Sequence, residues 1–266
     1  MFQSSYSRWY NYLFHEVADK RVADWPLMAG PEQITFIMVV YFMSVFVILP
    51  NYMKNRKPYS LKATILIYNL VQIAVCMYLI IRTLLNGWIQ SKINLIGCTS
   101  PNFTNDLMAI NQVKLIYWAM LTKVAELIET VFFVLRKKQN QVSFLHVYHH
   151  VATATLSWIV TKYAGGGMMT FPILINCSIH VLMYIYYTLA SLGPEWQKKL
   201  APWKSRMTAA QLIQFVMLVA HAAQGIAPSC KLPKGILVFY IPHILVLSQL
   251  FAKFYKRSYA NRKRKV

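Results

Sequence analysis

Acidic residues are scarce in this 266-residue chain, which has only eight Asp and Glu against 28 Lys and Arg. Charged residues make up 14% of the sequence, hydrophobic residues make up 57%, and the mean hydropathy is +0.39. A soluble domain has roughly 25% charged residues, so the composition excludes one and indicates a protein that crosses a membrane several times. The net charge of +20 does not indicate a nucleic-acid partner, because basic loops between apolar segments follow from membrane topology.

The chain also lacks the signs of a cleaved leader or of several domains. Residues 1–32 are polar and contain no short apolar core like that of a signal peptide, so the first spanning helix is expected to act as the signal anchor. No repeat, low-complexity tract or long linker divides the rest. We therefore expect one membrane domain over residues 1–266, with a lumenal N-terminal segment at 1–32 and a cytosolic basic tail at 256–266.

Long apolar stretches fill most of the remaining chain, and each is near the ~20 residues that a helix needs to cross a bilayer. They lie at 33–50, 63–85, 113–135, 144–162, 168–190, 208–228 and 235–255. The sequence therefore predicts an all-α polytopic membrane protein with seven transmembrane helices. Seven spans place the two termini on opposite sides of the membrane.

Lysine and arginine are concentrated in one set of the loops between these stretches. That set includes residues 54–62, 136–138, 198–206 and the tail, whereas acidic residues balance the basic ones at the N-terminus. By the positive-inside rule, the C-terminus is cytosolic and the N-terminus lies outside. The sequon at Asn102 then lies outside as well, where Asn102 is a candidate for N-glycosylation.

Three of the seven histidines fall within five residues, at His146, His149 and His150, where the fourth apolar stretch begins. On a helix, the spacing i, i+3 and i+4 puts all three imidazoles on one face. Ionisable side chains inside a span are costly and usually mark a functional site. This face is therefore predicted to be functional.

Three further spans carry polar side chains at positions where lipid would require apolar ones. They are Lys123, Glu126, Glu129 and Thr130 in span three, Asn176, His180, Met183, Tyr184 and Tyr187 in span five, and Thr208, Gln211 and Gln214 in span six. At about 1.5 Å per residue, these side chains come out in the cytosolic half of their spans. Helices that run in alternating directions thus place them at one level, which predicts a shared, water-accessible cavity.

These segments resemble the four signature boxes of the ELO family, the elongases of very-long-chain fatty acids. The boxes are Lys123-Val-Ala-Glu126-Leu-Ile-Glu129-Thr130, His146-Val-Tyr-His149-His150, Asn176-xxx-His180-xx-Met183-Tyr184-x-Tyr186-Tyr187 and Thr208-xx-Gln211-xx-Gln214. The resemblance extends from Asp24-Trp25-Pro26-Leu27-Met28 to the basic tail. One position differs, because Glu129 stands where the family usually has Asp, which keeps the charge and adds one methylene.

The resemblance implies a fold and a reaction. Spans two to seven would form an inverted six-helix barrel around a tunnel, with span one packed outside. The implied reaction condenses a long-chain acyl-CoA with malonyl-CoA, releases CO2 and CoA, and gives a 3-oxoacyl-CoA two carbons longer. No metal and no other cofactor is expected. The expected partners are the two thioesters, the lipid bilayer and the reductases and dehydratase of the elongation cycle, and a homo-oligomer is left open.

The implied site has two histidines at its centre. His149 and His180 are expected to react, one as the acyl carrier and the other as a proton or charge partner, and a general-base role without covalent transfer is left open. The residues expected to support them are His146, His150, Asn176, Glu126 and Glu129. Cations are expected to bind the CoA phosphates. The expected substrate-binding residues are Lys123, Arg136, Lys138, Gln141, Tyr184, Tyr186, Tyr187, Lys204, Arg206, Thr208, Gln211 and Gln214.

Two other functions would use similar features. Membrane desaturases and hydroxylases also have an HxxHH box, but their di-iron sites need several such boxes, and His15, His180, His221 and His243 form no second HxxxH pair. A seven-helix transporter or receptor would explain the charges inside spans but not their position on the cytosolic side. Cys177 lies near His180 in sequence, and a packed thiol is favoured over a nucleophile because buried cysteines are usually inert.

The four cysteines divide by topology. Cys98 and Cys230 lie in external loops and Cys76 and Cys177 within spans, so Cys98 and Cys230 are predicted to form a disulfide in an oxidising compartment. The terminal residues 263–266, Lys-Arg-Lys-Val, resemble a dibasic retrieval signal of the endoplasmic reticulum. The expected location is the endoplasmic reticulum membrane, with the N-terminus lumenal and the C-terminus cytosolic.

Overall fold

The structure, a computed structural model, describes residues 2–89, 93 and 95–260, and the regular secondary structure of this part of the chain is entirely helical. The retrieval-like sequence at 263–266 and the basic tail beyond residue 260 lie outside the described residues. The α-helices are α1 (Phe2–Asn11), α2 (Glu32–Met43), α3 (Leu49–Met53), α4 (Lys62–Thr83), α5 (Leu107–Ala125), α6 (Ile128–Leu135), α7 (Phe144–Tyr163), α8 (Phe171–Ser191), α9 (Pro194–Leu200), α10 (Trp203–Ala223) and α11 (Lys234–Tyr255).

Short helical turns of other types lengthen several of these helices. Ser44–Ile48 is a π-helical segment that joins α2 to α3, and similar segments extend α4 over Leu84–Ile89 and α11 over Lys256–Ala260. Turns of 3-10 helix precede α8 at Gly167–Thr170 and follow α10 at Gln224–Ile226. The longest helices thus become continuous rods.

Within the described residues, five helical segments are long and apolar enough to cross a membrane. They are Glu32–Met53, Lys62–Ile89, Gly167–Ser191, Trp203–Ile226 and Lys234–Tyr259. They match predicted spans one, two, five, six and seven, and they support a membrane protein. Predicted spans three and four are also helical, as α5 with α6 and as α7. They are less apolar because they carry the charged residues and the histidines, and their crossing of the membrane stays a prediction.

The long helices follow one another in a ring of neighbours. α4 packs against α8, α8 against α10, α10 against α11, α11 against α7, α7 against α5, and α5 against α4. Side chains from this ring form one apolar core, which includes Leu79, Phe171, Leu218 and Tyr240. A second core joins α2 to α5 and α7, so the first long helix lies beside the ring.

The positions of two of the signature boxes are set by where α7 begins and where the rod of α5 and α6 is interrupted. Ser143 caps α7, because its Oγ accepts a hydrogen bond from the backbone N–H of His146 at 3.2 Å. The histidines therefore occupy the first two turns of α7. In the helices that pack beside α7, α5 ends at Ala125 and α6 begins at Ile128. Glu126 therefore lies where the helix is interrupted.

The opposite end of the helices is closed by loops. A disulfide joins Cys98 to Cys230, with 5.6 Å between their Cα atoms and 132 residues between them in sequence. Next to it, the backbone N–H of Met168 donates to the carbonyl of Thr99 at 2.8 Å. Gly167 has a φ of 54°, and a Cβ there would collide with the Thr99 carbonyl, so this close approach requires glycine.

The N-terminal segment is attached to the same end. The Arg21 guanidinium pairs with Asp19 at 2.6 Å and donates to the carbonyls of Asn102 at 2.6 Å and Gly165 at 2.9 Å. The Asn102 side chain is exposed and donates to Asp106 at 2.9 Å. Its glycosylation stays a prediction.

Candidate active site

A cavity of about 460 Å³ lies among α6, α7, α8, α10 and α11 at the end of the ring where α7 begins. The predicted site residues that line it are Glu129, Gln141, His146, His149, His150, Asn176, His180, Tyr186, Tyr187, Lys204, Thr208, Gln211 and Gln214. All four boxes contribute to this list. The structure therefore brings them together at one cavity, which we call the histidine cavity.

His180 belongs to a buried charge cluster. The Lys123 ammonium donates to both carboxylate oxygens of Glu126, at 2.8 and 3.0 Å, and lies 3.4 Å from Nε2 of His180. Nδ1 of His180 is 3.2 Å from Oε1 of Glu126, in an orientation that makes a close electrostatic contact rather than a directed hydrogen bond. Glu126 is 0% exposed. Both nitrogens of His180 thus face charged groups that hold its ring in place.

Glu129 connects α6 to α4 and α8. Its Oε1 accepts hydrogen bonds from the hydroxyls of Tyr184 at 2.6 Å and Tyr68 at 3.0 Å. Its Oε2 lies 3.5 Å from Nε2 of His150. Tyr68 is not among the residues predicted from the sequence, because a single tyrosine in an apolar span carries no pattern. The carboxylate is therefore positioned by two phenols and faces one of the three clustered histidines.

His146 is oriented by hydroxyl groups. Its Nε2 lies 2.9 Å from Oγ1 of Thr130, which lies 2.8 Å from the hydroxyl of Tyr41. Tyr41 belongs to α2, so the helix beside the ring also reaches the site. Tyr41 is not among the predicted residues either, since nothing in the sequence distinguishes it from the other aromatic residues of its apolar stretch.

His149 stands at the junction of two cavities. It lines the histidine cavity and also an apolar cavity of about 110 Å³. Asn176, Gln214 and Phe215 are likewise common to both. This second cavity, which we call the apolar cavity, lies between α4, α5, α7, α8, α10 and α11. Its lining includes the aliphatic side chains of Leu79, Leu156, Leu218 and Leu247 and also polar ones, among them Lys123, Thr153 and His243. The two cavities are thus neighbours, and His149 belongs to the wall of both.

The other two cysteines line this apolar cavity as well. Cys76 and Cys177 are buried and have free thiols. Cys177 also comes near the charge cluster, since Lys123 lines the same cavity. Neither thiol reaches the wall of the histidine cavity.

Several predicted binding residues lie elsewhere. Lys123, Glu126 and Tyr184 do not line the histidine cavity but stand behind side chains that do. Arg136 lines a different cavity, between α4, α6 and α8. Lys138 and Arg206 are exposed and line neither of these two cavities. The Arg206 guanidinium lies 4.9 Å from the centre of the Trp203 ring.

Buried polar atoms without partners mark where a ligand can bind. Among the described residues, Oδ1 of Asn176, Oε1 of Gln214 and Nδ1 of His150 are buried and have no hydrogen-bond partner. All three residues line the histidine cavity. Buried polar groups are usually satisfied, so these atoms have capacity for a substrate. The arrangement offers imidazoles for nucleophilic and acid–base chemistry, and fixed charges for an anionic intermediate.

Comparison with known proteins points to one family. The family model described as "ELO: GNS1/SUR4 family" matches residues 26–266. The chain is 39% identical to mouse very long chain fatty acid elongase 1 over 95% of its length and 91% of that protein. It is 39% identical to mouse very long chain fatty acid elongase 4 over 91% of its length and 77% of that protein. A Drosophila melanogaster protein, very long chain fatty acid elongase 7, is 36% identical over 94% of this chain and 75% of its own.

Proposed function

Since the chain belongs to the ELO family, we propose that it is the condensing enzyme of fatty acid elongation, a very-long-chain 3-oxoacyl-CoA synthase. It would join a long-chain acyl-CoA to malonyl-CoA, release CO2 and CoA, and produce a 3-oxoacyl-CoA two carbons longer. One observation carries this proposal beyond the family relationship. A cavity with several histidines shares His149 with a neighbouring cavity whose wall carries many apolar side chains, which suits a thioester head beside an acyl tail.

The two central histidines have different surroundings, which suggests different roles. His149 has no hydrogen-bonded side-chain partner among the described residues and stands where the two cavities meet, so its ring is free to attack the thioester carbonyl and to carry the acyl group while CoA leaves as the thiol. Charges hold His180 on both sides, which suits proton transfer or charge stabilisation. Loss of CO2 from the malonyl group then supplies the carbon nucleophile, which attacks the acyl-imidazole and frees His149.

This division of roles is tested with single variants. His149→Ala and His180→Ala are expected to abolish condensation while the protein still inserts and remains monodisperse in detergent. His15→Ala is a matched control, because His15 is exposed and lines neither cavity. Near-normal turnover in either central variant would remove that histidine from the mechanism. Incubation with acyl-CoA alone, followed by peptide mass spectrometry, should recover the acyl group on His149. An unmodified peptide would favour general-base chemistry instead.

The proposed chemistry needs no metal ion and no further cofactor, since decarboxylation itself generates the carbanion equivalent. Activity is therefore expected to survive chelation with EDTA. Its loss, with recovery on adding iron, would favour the di-iron reaction. The reductases and dehydratase that would act on the product are the proposed partners, together with the bilayer, and co-purification from microsomes would identify them.

We also propose the finer topology. Seven spans, six of them in an inverted barrel that follows the ring order of neighbours, would place the histidine cavity on the cytosolic side and the Cys98–Cys230 disulfide in the lumen of the endoplasmic reticulum. The basic loops beside the histidine cavity and the oxidising conditions that a disulfide needs support this orientation. Asn102→Gln should remove a glycan and increase gel mobility, whereas an identical mobility after glycosidase treatment of the wild type would show that the sequon is unused.

A further inference from the structure

A second polar cavity, of about 380 Å³, lies between α4, α6 and α8. It shares part of its wall with the histidine cavity, namely Glu129, Phe133, Gln141 and Tyr187. We call it the α4–α8 cavity. Its volume is within the range of ligand sites, roughly 300–1,000 Å³. Two chambers thus meet at Glu129, beside His150.

The cations of the α4–α8 cavity are suited to an anion, and the one carboxylate among its described lining residues, Glu129, belongs to the wall shared with the histidine cavity. Lys62 and Arg136 line it, and among residues 2–89, 93 and 95–260 neither cation has a carboxylate within 4.0 Å or a side-chain hydrogen bond. Asn69 also lines it and is only 3% exposed, yet its Nδ2 donor has no hydrogen-bond partner. An unsatisfied buried donor destabilises the protein, and a ligand oxygen that accepts from it would remove that cost. Two free cations and an unused amide donor indicate a phosphate-bearing ligand with a carbonyl group.

The cavities differ in what lies beyond them. The histidine cavity shares His149, Asn176, Gln214 and Phe215 with the apolar cavity. The α4–α8 cavity shares no lining residue with the apolar cavity. A long acyl chain that enters the apolar cavity must therefore pass through the histidine cavity, whose lining includes the cation Lys204. Within the part of the chain that the structure describes, the α4–α8 cavity adjoins only the histidine cavity, at Glu129 and Tyr187, so a thioester bound there needs no long acyl tail to reach the histidines.

We propose that the α4–α8 cavity is a separate entrance for the short-chain CoA thioester, malonyl-CoA, while the long-chain acyl-CoA enters beside Lys204. This inference rests on the proposed function. Lys62 and Arg136 bind phosphates of the short thioester, and Nδ2 of Asn69 donates to an amide carbonyl of its pantetheine arm. The malonyl end then reaches the shared wall next to the histidines, where the Gln141 amide and the Tyr187 hydroxyl are available as donors to its carboxylate. The first CoA can leave through one opening while the second thioester arrives through the other.

Kinetics with each thioester varied separately test the two entrances. In a reaction with an acyl-enzyme, kcat/KM for a substrate reports its own half-reaction. Lys62→Gln and Arg136→Gln are each expected to lower kcat/KM for malonyl-CoA about tenfold, as the loss of a charge-assisted hydrogen bond implies, and to leave kcat/KM for acyl-CoA unchanged. Lys204→Gln should have the reverse effect. Lys57→Gln is the matched control for net charge, since Lys57 is exposed in the segment just before α4 and lines neither polar cavity.

A binding measurement gives an answer that does not depend on turnover. Equilibrium dialysis with free CoA should find two sites per chain in the wild type and one in the Lys62→Gln/Arg136→Gln double variant. A single site in the wild type, or equal losses of kcat/KM for both thioesters in the Lys62 and Arg136 variants, overturns the separate entrance. A wild-type protein that incorporates no malonyl carbon would instead overturn the proposed function, so the two failures are distinguishable.

Discussion

The Lys123–Glu126 pair provides a test of how buried charge is maintained in this fold. Its closest distance is 2.8 Å, and the two side chains are 12% and 0% exposed. With an effective dielectric constant of about 20, the attraction is about 6 kcal/mol at that distance. Removal of one partner of such a buried pair typically costs about 3–5 kcal/mol, because the remaining charge is uncompensated.

Glu126→Gln is therefore expected to destabilise the protein by about 3–5 kcal/mol. For a chain of this size that corresponds to a melting temperature lower by roughly 6–20 °C, measured as the fraction of monodisperse protein left after heating in detergent. Lys114→Met on the same helix is the matched control, because Lys114 is exposed and surface substitutions usually change stability by less than about 0.5 kcal/mol.

A double variant separates charge from packing. Lys123→Met with Glu126→Leu replaces the whole pair by apolar side chains, which is often neutral or stabilising, so it should melt close to the wild type. It should nevertheless be inactive, because His180 loses both of its charged neighbours. A Glu126→Gln variant that melts with the wild type would refute the reasoning, and so would a double variant no more stable than the single one.

Three further outcomes are expected. Replacing Cys98 and Cys230 by Ser should lower stability by at most about 4–5 kcal/mol, the loop-model value for a closed loop of this length, and non-reducing peptide mapping of the wild type should recover the two segments linked. Tyr41→Phe should lower kcat several-fold with KM unchanged, because about 1 kcal/mol of hydrogen bonding to Thr130 is lost. If the free energy of unfolding falls by as much as the activation free energy rises, the hydroxyl contributes to packing alone. Leu218→Trp should fill part of the apolar cavity and shift the products, measured by gas chromatography, to shorter chains, whereas an unchanged distribution would place the acyl tail elsewhere.

Local spacing was sufficient for much of the architecture. The interval between His146, His149 and His150 places three imidazoles on one helix face whatever surrounds them, and the structure has all three on the wall of one cavity. Polar residues inside apolar stretches were equally informative, because lipid would make Glu129 or His180 costly. The helices were predictable for a similar reason, since apolar runs near ~20 residues are long enough to span a bilayer.

Hydrogen bonds between side chains on different helices could be identified only from the tertiary structure. Tyr68 and Tyr41 are single aromatic residues in apolar runs, so no periodicity shows that their hydroxyls reach Glu129 and Thr130. Helical periodicity also ends at the C-terminus of α6. Lys137 has a φ of 54° and turns the chain away.

The same turn separates Arg136 from Lys138, which were both predicted to bind substrate. Arg136 lines the α4–α8 cavity, whereas Lys138 lines neither polar cavity. Lys62 appeared in the sequence only as a charge that orients the chain in the membrane. Its place beside Arg136 arises because the loop before α4 lies against the end of α6, where the backbone N–H of Tyr59 donates to the carbonyl of Leu135 at 3.1 Å. No local pattern determines this contact between segments that are distant in sequence.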